Sequence, residues 1–320
     1  MEKYRVSYID LSTGETIAYR KTGKGSRTFV LVHGNMSSSV YFEDMMDELG
    51  KENTVYALDL PGFGDSTYNR IQESLFDISL DLSEFIVKLD LKNVYLLGWS
   101  TGGGICLETA ADLPDRITKI FIVSSVGIKG YPVYKKTIFT PLSTELIRTR
   151  EEMIEYNIMV RPMLSMYKRK NKYLMRGVLE NSIYTKKIPN EEDLEKYVEG
   201  SLKQRNYVDI LTALVNFNMT SKKVNNVRGS GRAEFIKAPI YIIHGDNDIV
   251  VDLSFAKASA DYFGSRAQLK IFRGSGHSIM TDDFEGLINY IKAHYWAFLI
   301  ALMKTITENS NRTYQKLLTT

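Results

Sequence analysis

Gly98-Trp99-Ser100-Thr101-Gly102 follows directly on an apolar run and opens a stretch of helical pattern. A serine on so sharp a strand-to-helix turn takes strained backbone angles, and the strain lifts its hydroxyl into a cleft above a sheet. Small neighbours are needed where strand and helix approach, and Gly102-Gly103-Gly104 supply them. A serine hydroxyl is a poor nucleophile near neutral pH and needs a base within hydrogen-bond reach. The chain has four histidines, His33, His244, His277 and His294. His244 lies inside a strand pattern and His294 inside a terminal helical one. His277 sits in Arg273-Gly-Ser-Gly-His-Ser, a flexible Gly-rich loop from which a side chain can reach across.

An acid that orients this imidazole is expected after the strand that precedes it. His244-Gly245-Asp246-Asn247-Asp248 offers two carboxylates there. Asp246 could cap the turn, and Asp248 is favoured because it has the Gly-x-x-Asp spacing. The other place for an acid, Ser124-Ser125-Val126-Gly127, carries none. Charge developing on an attacked carbonyl needs N–H donors. The backbone of Asn35, in His33-Gly34-Asn35, and that of Thr101, next to the nucleophile, are the expected pair.

These residues need a framework. Near-continuous β-branched and aromatic runs at 28–33, 54–60, 93–98, 117–124 and 238–245 read as buried strands, and 4–10 with 16–21 as an opening pair. Residues 74–91 carry Leu75, Ile78, Leu82, Phe85, Ile86 and Leu89 on one helical face. A helix at 253–263, a strand at 267–272 and a long final helix from about 281 follow. Strand–helix alternation implies a parallel α/β sheet. It stops from about 127 to 232, where helical stretches rich in Met, Tyr and Lys take over. One of these begins at Asn190 as N-cap with Asp193 three positions on.

With 44% apolar and 25% charged residues, the 320-residue chain can build a sizeable core. A net charge of +3 gives no reason to expect a nucleic-acid partner. No window is apolar over the roughly 20 residues of a membrane span, and 295–303 reads as the buried face of a helix. The N-terminus does not read as a signal peptide, and the single cysteine, Cys106, excludes an intrachain disulfide; both fit a cytoplasmic protein.

The order Ser100, Asp248, His277 resembles that of the α/β-hydrolase family. So do Asp59-Leu-Pro-Gly-Phe-Gly-Asp-Ser66 and Ala238-Pro239. The resemblance implies a mostly parallel central sheet flanked by helices, with a helical cap insertion. The core would be 1–127 and 233–303, the cap 128–232 and a polar tail 304–320. It also implies a serine hydrolase acting on a small-molecule ester with an apolar acyl group, with no cofactor or metal. His33-Gly-Asn-Met-Ser-Ser-Ser39 is similar to haloalkane dehalogenases, yet those, like epoxide hydrolases, use an aspartate nucleophile where this chain has Ser100. Asn216-Phe-Asn-Met219 and Gly229-Ser-Gly231 resemble intracellular polyhydroxyalkanoate depolymerases. Carbon–carbon hydrolases, amidases, perhydrolases and acyltransferases share the triad, and a slow ligand sensor would retain it. In the middle segment Met153, Met159, Met163, Met166, Tyr156 and Tyr167 are expected either to line an acyl pocket or to form the segment's own core. The run Lys168-Arg-Lys-Asn-Lys172 with Arg176 reads as a solvated face.

Overall fold

The computed structural model describes residues 3–136 and 143–295. Its strands are β1 (Val6–Asp10), β2 (Thr16–Thr22), β3 (Thr28–Val32), β4 (Thr54–Leu58), β5 (Val94–Trp99), β6 (Ile117–Val123), β7 (Ile240–Gly245) and β8 (Ala267–Phe272). They form one sheet in the order β1-β2-β4-β3-β5-β6-β7-β8. β1 and β2 join antiparallel, and every pairing from β4 to β8 is parallel. The mostly parallel α/β sheet read from the sequence is therefore the sheet observed. Where β3 lies between β4 and β5 the chain reverses its direction of travel across the sheet, and ligand sites collect at the carboxyl ends of such strands.

Helices α1 (Glu43–Gly50), α2 (Leu75–Lys88) and α3 (Thr101–Asp112) connect the first parallel strands. α2 starts where the sequence asks it to: Ser74 and Asp77 exchange side-chain-to-backbone hydrogen bonds in a capping box. Its face of Ile78, Leu82, Phe85 and Ile86 packs on Val30, Tyr56, Leu58 and Leu96 of the sheet. Each such side chain contributes about 1.5–3 kcal/mol on leaving water.

Between β6 and β7 the chain makes α4 (Arg150–Ile154), α5 (Val160–Arg169), α6 (Lys172–Ser182), α7 (Glu191–Leu202) and α8 (Tyr207–Val215). Asn190 caps α7 by accepting from the N–H of Asp193. The only pairings in this stretch, among the described residues, are isolated bridges at Tyr134 and Val224. The basic run is used in packing α6 on α7: Lys172 reaches Glu195 and Glu199, both at 2.6 Å, and Arg176 forms a two-pronged pair with Glu191.

α9 (Leu253–Phe263) lies between β7 and β8, followed by α10 (Ile279–Asp282) and α11 (Phe284–Ala293). The expected single long helix is thus broken at Asp283, whose φ of −144° is not helical and whose carboxylate caps α11 through Gly286. Residues up to Asp282 form one compact unit, and a second begins at Asp283. The expected end of that helix, up to 303, and the polar tail 304–320 fall outside the described residues. No helix among the described residues is long and apolar enough to cross a membrane.

Candidate active site

Strand order brings the singled-out residues together. Val32 pairs with Gly98, so the chain leaving β3 at His33-Gly34-Asn35 runs beside the chain leaving β5 at Ser100. Gly245 pairs with Phe272, so the loops carrying Asp248 and His277 are likewise neighbours. Asn35, Ser100, Thr101, Asp248 and His277 all line one cavity of about 750 Å³.

Ser100 has φ 54° and ψ −122°, a sparsely populated positive-φ conformation that costs a non-glycine residue about 1–3 kcal/mol. Its N–H donates to Val123 O of β6 at 2.9 Å, which ties the turn to the sheet. Close approach explains the flanking glycines. A Cβ on Gly102 would stand 2.2 Å from Val32 O, and one on Gly34 would stand 2.7 Å from the Ser100 Cβ.

His277 Nδ1 lies 2.8 Å from Asp248 Oδ2. The other carboxylate oxygen, Oδ1, accepts the N–H groups of Val250 and Val251 at 2.8 and 2.9 Å. A carboxylate only accepts, so Nδ1 of His277 carries a proton and, in the neutral ring, Nε2 is the bare nitrogen. Burial works against the Asp248 charge, but the His277 hydrogen bond and charge, together with the Val251 N–H, hold its carboxyl below the usual range. Among the described residues no hydrogen bond joins Ser100 Oγ to the imidazole; such contacts are often loose before substrate arrives. Asp246 is exposed and accepts from Gly274 N–H at 2.7 Å, so it caps the turn and does not face His277.

The glycine-rich loop around His277 is pinned, which corrects the expectation of a flexible one. Trp99 Nε1 donates to His277 O at 3.0 Å, Asn247 N–H to Ser275 O at 2.9 Å, and Gly276 N–H to the Asp282 carboxylate at 2.7 Å.

The candidate oxyanion donors are unengaged. Thr101 is the first residue of α3, where a backbone N–H has no intrahelical partner. No acceptor among the described residues meets the N–H of Asn35. His33 holds this turn in place. Its Nε2 accepts from Leu60 N–H at 3.0 Å, so Nδ1 carries the proton and donates to Gly34 O at 2.8 Å. Burial lowers its pKa, and only in part do the Asp59 charge and the Gly34 bond oppose this.

Two residues not singled out from the sequence join the site. His244 Nε2 donates to Val251 O at 2.8 Å and lies 3.4 Å from Asp248 Oδ2. Gln204, between α7 and α8, bonds to Asn35 and Met36 across 169 and 168 positions of chain. Nothing local marks it, since it stands in a polar inter-helix stretch.

The rest of the cavity wall is mainly apolar and comes largely from the β6–β7 insertion: Tyr131, Val133, Tyr156, Met159, Ile183 and Leu211. Of the six Met and Tyr residues singled out from the sequence, Tyr156 and Met159 face the cavity. Met153, Met163, Met166 and Tyr167 are buried away from it. Asn218 and Gly229 build a turn, with Asn218 Nδ2 donating to Lys222 O and Val227 O, and neither lines the cavity.

A sequence description of the family with the alpha/beta hydrolase fold matches residues 27–284. A Mycoplasma pneumoniae protein described as a candidate esterase/lipase is 24% identical over 81% of this chain and 85% of its own length. Among solved structures, the esterase EaEST of Exiguobacterium antarcticum superposes with a TM-score of 0.69 at 21% identity, covering 90% of this chain and 98% of that one. A bromoperoxidase from Bacillus anthracis superposes with a TM-score of 0.68 at 19% identity, over 90% and 99% of the two chains. Likenesses at this identity speak to the fold, which hosts more than one chemistry.

Proposed function

Since this chain belongs to the α/β-hydrolase family, we propose that it hydrolyses a carboxylic ester through an acyl-enzyme on Ser100. The observation that carries the reading is the 2.8 Å bond from His277 Nδ1 to Asp248, which makes Nε2 the accepting nitrogen of the neutral ring, with His277 and Ser100 lining the same cavity. In the first step Oγ bonds to the ester carbonyl carbon while its proton passes to His277 Nε2. The carbonyl oxygen becomes an oxyanion held by the N–H groups of Asn35 and Thr101, each worth about 3–4 kcal/mol of barrier. Collapse breaks the carbon–oxygen bond to the alcohol, which leaves with the proton from His277. Water then repeats the sequence on the acyl-enzyme and frees the acid. Asp248 fixes the tautomer and faces the imidazolium that forms.

The described helices of the insertion between β6 and β7 act as a cap over the sheet, and the insertion's apolar side chains receive the acyl group. The substrate is a small-molecule ester with an apolar acyl part. The test is a chain-length panel of p-nitrophenyl esters on wild type and Ser100→Ala. Wild type is expected to turn over repeatedly and to prefer chains longer than acetyl. Ser100→Ala is expected to lose about 10⁴-fold or more in kcat. Wild type that stops after one equivalent would instead be a ligand sensor, and an active Ser100→Ala would remove Ser100 from the mechanism.

A further inference from the structure

We propose that Gln204 is a positioning residue that sets the direction of the oxyanion-binding N–H of Asn35, which makes the insertion part of the catalytic geometry. The inference rests on the ester-hydrolase reading above and goes beyond it.

Met36, next to Asn35, has φ 54°, a left-handed conformation that a side-chain-bearing residue does not hold without support. The insertion supplies that support on both sides of the residue. Met36 N–H donates to Gln204 Oε1 at 3.1 Å, and Met36 O accepts from Ser201 Oγ at 2.6 Å. Ser201 Oγ in turn accepts from Tyr41 OH at 2.7 Å.

Gln204 also donates from Nε2 to Asn35 Oδ1 at 2.7 Å. Its amide orientation is fixed by chemistry, because a backbone N–H can only donate and so must face the oxygen. Tyr167 OH fills the second site on Oε1 at 3.0 Å, and Asn206 Oδ1 accepts from Nε2 at 3.1 Å. The side chain is 2% exposed and every polar valence it has is used. Gln204 is not among the described residues that line the cavity, so it does not shape the acyl pocket directly.

One amide thus accepts from the N–H of the Asn35–Met36 peptide and donates to the Asn35 side chain. It grips Asn35 at both points and, through the Asn35 backbone torsions, sets where the Asn35 N–H on the preceding peptide points. Among side chains of that length only the amide does both from one rigid plane at every pH, since a carboxyl does so only when protonated. Transition-state stabilisation is sensitive to this grip: a displacement of about 1 Å at a donor costs about 100-fold in rate.

Gln204→Met keeps the length and removes all four hydrogen bonds. With a cooperative melt retained, kcat is expected to fall roughly 10- to 100-fold. KM should change by less than about threefold, equally for short and long acyl esters, because ground-state contacts with the acyl chain are untouched. Unchanged kcat, or a loss that lies in KM and grows with acyl length, would overturn the inference in favour of a purely structural role.

Gln204→Glu is the second variant. A protonated carboxyl keeps an acceptor for Met36 and a donor for Asn35, whereas a carboxylate loses the donor. Its kcat relative to wild type should therefore rise as pH is lowered from about 8 to about 6, since burial raises a carboxyl pKa. A ratio independent of pH sinks the proposal. Ser100→Ala is run alongside. If it stays active, the ester reading itself is wrong; if it is dead while Gln204→Met matches wild type, only the role of Gln204 falls.

Discussion

At the scale of the residue, Asp248 shows how one side chain sets the state of another. Oδ1 is committed to the N–H groups of Val250 and Val251, so only Oδ2 faces His277. In Asp248→Asn the amide oxygen stays with those two donors and the NH₂ group turns to the imidazole. Nδ1 must then accept, the proton moves to Nε2, and the base is lost. We expect kcat to fall about 10⁴-fold with little change in melting temperature. Asp246→Asn, two positions away, should leave kcat within about twofold, because that side chain is exposed and serves the turn at Gly274. Ester kinetics on the two variants in parallel separate the carboxylates, and equal losses would remove Asp248 from its role.

At the scale of the element, the turn from β5 into α3 depends on bare backbone. Gly102→Ala places a Cβ 2.2 Å from Val32 O, which belongs to the central strand β3 and cannot give way cheaply. A loss of about 1–3 kcal/mol in stability is expected, accompanied by a fall in activity as Ser100 shifts. Gly177, inside α6, is the contrasting case, with nothing within 4 Å of a new Cβ. Gly177→Ala should stabilise by about 0.5–1 kcal/mol through helix propensity alone and leave activity unchanged. Denaturant midpoints of the two variants decide the matter, and a neutral Gly102→Ala would refute the close-packing account.

At the scale of the whole molecule, two imidazoles buried beneath the site make stability depend on pH. Burial lowers the pKa of both His33 and His244 in the folded state, with partial opposition from hydrogen bonds and from Asp59 or Asp248. In the unfolded chain each takes up a proton near the ordinary value of about 6.5. As pH falls below that value, the unfolded state binds protons that the folded state does not. Stability from these groups is therefore present at neutral pH and declines with acidification until the lowered folded values are passed. The thermal midpoint should drop between about pH 7 and about pH 5, and less steeply in His33→Gln than in wild type. Parallel melts across that window test this, and identical slopes would exclude His33 from the effect.

The sequence by itself determined what local pattern can encode. Strand–helix alternation, the cap at Asn190, the Gly-x-Ser-x-Gly turn and the expectation of Asp248 rather than Asp246 all rest on spacings of a few residues. Periodicity and turn chemistry act over such distances, so these features are legible without coordinates. Tertiary structure decided the rest. The separation of Tyr156 and Met159 from Met153, Met163 and Met166 depends on how the insertion's helices pack, and every apolar face reads alike in sequence. The break at Asp283 sits inside a continuous helical pattern, and the pinning of the His277 loop needs Trp99 from another strand. Gln204 meets Asn35 only because the fold joins positions 169 residues apart. A buried amide's partners are chosen by geometry, and no local signal records them.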